Sequence, residues 1–139
     1  MKKNVPVSTI MTSNVIKLNV TDDLTKAESL FKRHHIRHIP VVSGNYIVGM
    51  LSYTDLLRIS FVDAVFDDEE VVDATVYNMF TIDQVMAKNL IKVSPDATIK
   101  EVAEILSKRE FHALPVVLDE LIVGIVTTTD LIKYLIDQY

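Results

Sequence analysis

Two aspartates, 75 positions apart, carry the most suggestive chemistry in this 139-residue chain. Asp55 follows Ser52 and Thr54, and Asp130 follows Thr127 and Thr129. An ionised carboxylate presents two acceptor oxygens, which suit the vicinal 2′ and 3′ hydroxyls of a ribose. The neighbouring hydroxyls are short donors, and a helix opening at these points would add free N–H groups and a dipole that favour phosphate. Sugar and phosphate are thus both within reach of these residue types. The same residues have a second use, because Thr and Asp ahead of Leu56-Leu57-Arg58 or Leu131-Ile132-Lys133 also supply a helix N-cap. From spacing alone both readings stand, and one residue can serve both.

The spacing is that of an internal repeat. Residues 10–58 align with 85–133 without a gap, and the identities cluster: Met11 with Met86, Asn14 with Asn89, Ile16-Lys17 with Ile91-Lys92, Pro40-Val41-Val42 with Pro115-Val116-Val117, Ile47-Val48-Gly49 with Ile122-Val123-Gly124, and Thr54-Asp55-Leu56 with Thr129-Asp130-Leu131. Each unit opens with a strand-like run, residues 14–18 and 89–93. Asp23 is the predicted N-cap of the first helix, and Thr98 with Glu101 fits a capping box for its counterpart. These helices should end near Arg33 and Lys108. Leu24, Ala27, Leu30 and Phe31 share one face, as do Ile99, Val102, Ala103, Ile105 and Leu106, the spacing of a helix that covers a sheet. Pro40 and Pro115 fit the first residue of a strand, where a missing N–H is tolerated. Ser43-Gly44-Asn45 predicts a hairpin turn, with Leu118-Asp119-Glu120 as a less obvious equivalent. Gly49 and Gly124 mark a bulge or a close backbone approach. A second helix starts from Asp55 or Asp130. The predicted order per unit is strand, helix, strand, strand, helix, an α/β (α+β) pattern, with a first repeat over 1–66 and a second over 67–139.

Composition narrows the function. With 49% hydrophobic residues and a mean hydropathy of +0.26, units this small are expected to bury apolar surface against each other and against a second copy of the chain. No apolar run approaches the roughly eighteen residues of a membrane helix, and the N-terminus lacks the apolar core of a secretion signal, so a cytoplasmic location is expected. The absence of cysteine excludes disulfides and thiol catalysis. The net charge of −5 is local: a connector at about 59–82 holds Asp63, Asp67, Asp68, Glu69, Glu70 and Asp73 with no Lys or Arg, which leaves the other residues at +1. Its Phe61, Val62, Val65, Phe66, Val71 and Val72 predict helical continuation on either side of an acidic turn at 67–70. There is no basic stripe for a phosphate backbone, so nucleic-acid binding is not expected. His34, His35 and His38 with the acids at 67–70 make a poor metal set, since adjacent histidines point apart and no HExxH spacing occurs. Without a Ser-His-Asp or Cys-His arrangement, a P-loop or a GxGxxG, we expect neither catalysis nor a required metal or cofactor.

At Ile36-Arg37-His38-Ile39-Pro40-Val41-Val42 followed by Gly49-Met50-Leu51-Ser52-Tyr53-Thr54-Asp55-Leu56, the chain resembles the CBS domain family. Phe111-His112-Ala113-Leu114-Pro115-Val116-Val117 with Gly124-Ile125-Val126-Thr127-Thr128-Thr129-Asp130-Leu131 matches as well. The resemblance implies a tandem pair of β-α-β-β-α repeats packed about a pseudo-two-fold axis, a Bateman module, with two clefts between the repeats. It implies a homodimer, and an adenosine-containing ligand such as AMP, ADP, ATP or S-adenosylmethionine. By the same resemblance Arg37 and His38 contact phosphate, with His112 and Ala113 at the aligned positions, so the basic pair is incomplete in the second repeat. Val15, Ile16, Leu90 and Ile91 would hold the adenine ring, and Pro40 and Pro115 are grouped with these site residues. The function implied is a stand-alone regulatory module that senses the ligand and controls a partner protein in trans. The alternative is a degenerate pair kept for dimerisation or protein contact with empty clefts.

Overall fold

The computed structural model describes residues 4–66 and 77–139, without the side chains of residues 60–66. The chain packs as two compact units, each drawing on both sequence repeats. The inner unit is Ile16–Asn89, and the outer unit combines Met1–Val15 with Leu90–Tyr139.

In the inner unit β1 (Leu18–Asn19) runs parallel to β2 (His38–Ser43), which pairs antiparallel with β3 (Tyr46–Ser52). Helix α1 (Leu24–His34) links β1 to β2, α2 (Tyr53–Phe66) leaves the end of β3, and a single capped turn forms α3 (Ile82–Val85). Asp23 caps α1 as its sequence suggested, its carboxylate accepting from the Lys26 N–H at 2.8 Å. The helix stops at His35, which takes a left-handed conformation (φ 52°) while its N–H bonds the Phe31 carbonyl. Leu24, Ala27 and Phe31 are buried with Leu18, Ile39, Val41, Leu51 and Leu56, so the apolar stripe of α1 does cover the sheet.

The outer unit repeats this plan with α4 (Ile99–Lys108), β4 (Ala113–Leu118), β5 (Leu121–Thr127) and α5 (Thr128–Asp137). Thr98 caps α4 by accepting from the Glu101 N–H at 3.1 Å. Val7, Val93, Val102, Leu106, Leu114, Val116 and Val126 form its core. The opening segment is bound to this unit: the Val7 N–H donates to the Ala97 carbonyl at 2.7 Å, and Thr12 and Ile125 exchange two backbone bonds of 2.8 and 3.0 Å. In the inner unit Ala87 and Met50 exchange the equivalent pair at 2.9 and 3.0 Å. Each repeat's leading segment is therefore held by the hairpin of the other repeat.

This exchange explains the glycines. A Cβ on Gly49 would collide with the Met86 Sδ and lie 2.8 Å from its Cγ; one on Gly124 would collide with the Met11 Sδ and lie 3.0 Å from its Cγ. A register shift lies beside each glycine, between Val41 and Val42 and between Val116 and Val117. Both expected reasons for glycine, a bulge and a close approach, apply together.

Three expectations need correction. The strand-like runs at 14–18 and 89–93 are largely irregular: β1 is only Leu18–Asn19, and in the outer unit Val93 makes a lone bridge to Val116. The chain passes from one unit to the other at 15–16 and 89–90, so the backbone there leaves the ladder. Pro40 is the third residue of β2 and Pro115 the third of β4. Each is tolerated because the opposing residue, Met50 or Ile125, turns its own N–H and carbonyl away to Ala87 or Thr12. The second helices start earlier than Asp55 and Asp130, as described below. The connector continues α2 as helix through residue 66, whereas 67–76, with the expected acidic turn, lie outside the described residues.

The two hairpin turns differ in strain. Gly44 supplies the positive φ (64°) of the first, but in the second Asp119 and Glu120 both adopt it (52° and 67°). A side chain in this region costs about 1–2 kcal/mol. Glu120→Gly is therefore expected to stabilise the protein by about 1 kcal/mol, raising Tm by about 2–4 °C in a calorimetric scan.

Candidate functional site

Both repeats build the same corner where hairpin meets helix. His38 lies opposite Ser52 in the β2–β3 ladder, and Ala113 lies opposite Thr127 in β4–β5. The carbonyl of Arg37 accepts the N–H of Tyr53, the first residue of α2, at 2.8 Å. The carbonyl of His112 likewise accepts the N–H of Thr128, the first residue of α5, at 3.0 Å. A hydroxyl then caps each helix: Ser52 Oγ accepts from the Asp55 N–H at 3.0 Å and Thr127 Oγ1 from the Asp130 N–H at 3.1 Å. The aspartates close the box, since Asp55 Oδ2 accepts from the Ser52 N–H at 3.4 Å and Asp130 Oδ2 from the Thr127 N–H at 2.9 Å.

The helices thus start at Tyr53 and Thr128, and each aspartate is the third helical residue rather than its opening one. The reason is chemical: the shorter hydroxyl reaches the N3 amide from the cap position, while a carboxylate three residues on reaches back. Asp55 and Asp130 are partly buried, and Thr54 and Thr129 are exposed. Asp55 Oδ1 also lies 3.5 Å from Arg58 Nη1, an ion pair on a side chain 72% exposed and so of little energetic weight. A carboxylate has about four lone-pair positions. The capping bond occupies one of them, so the capping role and a ligand role are compatible on the same side chain.

Within the inner unit the fold gathers Arg37, His38, Ser52, Thr54 and Asp55 at one corner; within the outer unit it gathers His112, Thr127, Thr129 and Asp130. The inner corner is the more cationic, with Arg37 and His38 where the outer has His112 and Ala113. Pro40 and Pro115 are buried inside the hairpins. Ile16 opens the inner unit, while Val15, Leu90 and Ile91 belong to the outer one; all four are half-buried on irregular backbone. Two supporting residues escaped the sequence reading. Tyr53 packs edge-on against Phe31, ring centroids 5.2 Å apart, and anchors the first turn of α2 to α1. Tyr77 is buried and donates its hydroxyl to the Glu28 carboxylate. The position of Tyr53, directly after a capping serine, was the only signal for the first; nothing local announced the second.

Comparison with known proteins agrees with this architecture. An uncharacterized protein of Methanocaldococcus jannaschii is 31% identical over 97% of this chain and 33% of its own length. The chain spans half or less of the first curated relatives it matches, including 48% of a second protein from the same organism. The crystal structure of a protein assigned to acetoin utilization (AcuB) from Vibrio cholerae, 28% identical, superposes with a TM-score of 0.81 over 98% of this chain and 93% of that one. The CBS domain pair of the protein MJ0100, solved with 5′-methylthioadenosine and S-adenosyl-L-methionine, is 26% identical, with a TM-score of 0.76 over 94% of this chain and 99% of its own. The family model of the CBS domain matches residues 7–61 and again 82–137. With both repeats matched and the same corner built twice, the chain belongs to the CBS domain family, as a tandem pair.

Proposed function

We propose that this protein is a regulatory module that binds an adenosine-containing ligand, with the ribose on Asp55 or Asp130 and the ligand's phosphate or other tail near the hydroxyls of the same corner. The observation that carries the proposal is the repeated corner itself. In each repeat a carboxylate, a capping hydroxyl and an exposed threonine meet at the start of a helix, and capping leaves acceptor positions unused on the carboxylate. The adenosine compounds bound by the MJ0100 pair support the ligand class. Arg37 and His38 equip the inner corner for phosphate, because a guanidinium offers a planar fork of donors. The role proposed is binding rather than catalysis. The module works as a homodimer, and its ligand state is read by a target protein in trans. A ligand shifts the module only by its differential affinity for two arrangements.

A second reading draws on the same bonds. The capping boxes account for both aspartates without any ligand, which favours a pair kept for protein contact. A thermal-shift panel of AMP, ADP, ATP, S-adenosylmethionine and 5′-methylthioadenosine separates the two. Under the first, one ligand at a hundredfold excess over its Kd stabilises the fold by about 2.7 kcal/mol; under the second, no member of the panel moves Tm.

A further inference from the structure

The two corners follow one plan but differ at one contact. Asp55 and Asp130 each stand three residues ahead of a cation on the same helix, Arg58 on α2 and Lys133 on α5. Helical side chains lean toward the N-terminus, and acid before base is the favourable order, so each cation is placed to reach back over its aspartate. Arg58 does so, with Nη1 3.5 Å from Asp55 Oδ1. Among the described residues Lys133 makes no ion pair with Asp130. A guanidinium is a rigid, weakly hydrated fork, whereas an ammonium on a flexible stem holds its water. The carboxylates answer differently: Asp55 reaches the Ser52 N–H at 3.4 Å, and Asp130 the Thr127 N–H at 2.9 Å. Asp55 is thus shared between its helix cap and Arg58, while among the described residues Asp130 is held by its cap alone.

This difference bears on which ligand each corner accepts. Oδ2 of Asp55 serves the cap, so a ribose hydroxyl at this corner competes with Arg58 for Oδ1. An exposed pair of this kind exchanges easily, at no more than about a fivefold cost in affinity. The displaced guanidinium then stands within one helical turn of Ser52 and Thr54, the hydroxyls proposed to border the ligand's tail. A phosphate there accepts from it, and a charge-assisted bond raises affinity about tenfold or more. An uncharged 5′ group offers no such acceptor, and a sulfonium is repelled. In the outer corner no cation has to leave Asp130 before a hydroxyl can bind, and none is poised to reward a phosphate.

We infer that Arg58 is a specificity-determining residue: its exchange between Asp55 and the ligand's tail makes the inner corner select phosphorylated adenosines, whereas the outer corner accepts adenosines with an uncharged or sulfonium 5′ group. The inference rests on the ribose assignment proposed above and adds the selection between ligands. Its test is calorimetric titration of the full chain carrying Asp130→Ala, which keeps only the inner aspartate, with AMP and 5′-methylthioadenosine as probes that differ at the 5′ position. AMP should bind the more tightly. Arg58→Gln in this background should weaken AMP about tenfold and leave 5′-methylthioadenosine within about threefold, or tighten it. Arg58→Lys keeps the charge and should recover part of the AMP loss. Because the pair is exposed, Arg58→Gln should hardly move Tm, which separates a role toward the ligand from a structural one. With Asp55→Ala and the outer aspartate intact, Lys133→Gln should change neither affinity more than about threefold. If Asp130→Ala folds poorly, the tighter AMP step of the chain with both aspartates is read instead, with the same expected loss for Arg58→Gln. Unchanged AMP affinity in Arg58→Gln, equal weakening of both probes, or an equal loss from Lys133→Gln would each overturn the inference while leaving the ribose assignment standing. Binding of neither probe by the wild-type chain would overturn both.

Discussion

Titrated with an adenosine ligand that wild-type protein binds, the Asp55→Ala, Asp130→Ala double variant is expected to show no measurable heat. Each carboxylate is proposed to accept two hydroxyl donors, and a hydrogen bond to a charged group contributes about 1.5–3 kcal/mol. Losing both at a site removes about 3–6 kcal/mol, roughly a 10²–10⁴-fold loss of affinity. The geometry complicates the simple experiment, because each aspartate also closes a capping box with Ser52 or Thr127. Its removal will weaken the helix start by about 1 kcal/mol. The control is Ser52→Ala with Thr127→Ala, which removes the hydroxyl end of each box and keeps the carboxylate. Stability should fall comparably, while affinity drops by no more than about fivefold, the value of one neutral hydrogen bond. Asp→Asn at both positions keeps an acceptor for the backbone and loses the charge, and should fall between the two. Unaltered affinity in a double Ala variant of native helix content would refute the assigned role of the carboxylates.

The largest expected effect on stability is at a residue with no side chain. Gly49→Ala places a methyl group in the space of the Met86 thioether, and Met86 is only 7% exposed among core neighbours. Overpacking of this kind costs about 1–3 kcal/mol. Met86→Ala alone should cost about 2–5 kcal/mol as a cavity mutation. The double variant should be more stable than the sum implies, because the alanine methyl at 49 occupies part of the space the thioether vacates. A coupling of at least about 1 kcal/mol in urea unfolding is the expected signature. Additive costs would mean that Met86 does not rest on Gly49. Gly124→Ala should follow the same pattern against Met11 with a smaller cost, since Met11 is only half-buried and has more room to yield.

Much of the inner and outer architecture was legible because it is local. Apolar periodicity marks α1 and α4, Asp23 and Thr98 mark their starts, and Gly44 marks a turn, each through interactions within a few residues. The repeat of Thr-Asp-Leu was legible too, and with it the family. The expected strands at 14–18 and 89–93 illustrate the opposite case. Their β-branched and apolar composition is real, but the ladder partner that would make them strands is a matter of where the chain crosses between units. The position of Pro40 within β2 also followed from a distant event, the bonding of Met50 to Ala87 rather than across the hairpin.

What the residue order determined by itself is the inventory: two equal repeats, their helices and turns, and a carboxylate with hydroxyls before each last helix. Which segment packs on which was decided only in three dimensions, because main-chain bonds and thioether contacts between residues 37 and 113 positions apart, Met50 with Ala87 and Met11 with Gly124, leave no periodic trace along the chain. Tertiary packing likewise reinforced the start of α2 and α5 at Tyr53 and Thr128. The carbonyls of Arg37 and His112 receive the first helical N–H across the hairpin, which adds to the local hydroxyl caps of Ser52 and Thr127 that leave each aspartate as the third residue of its helix.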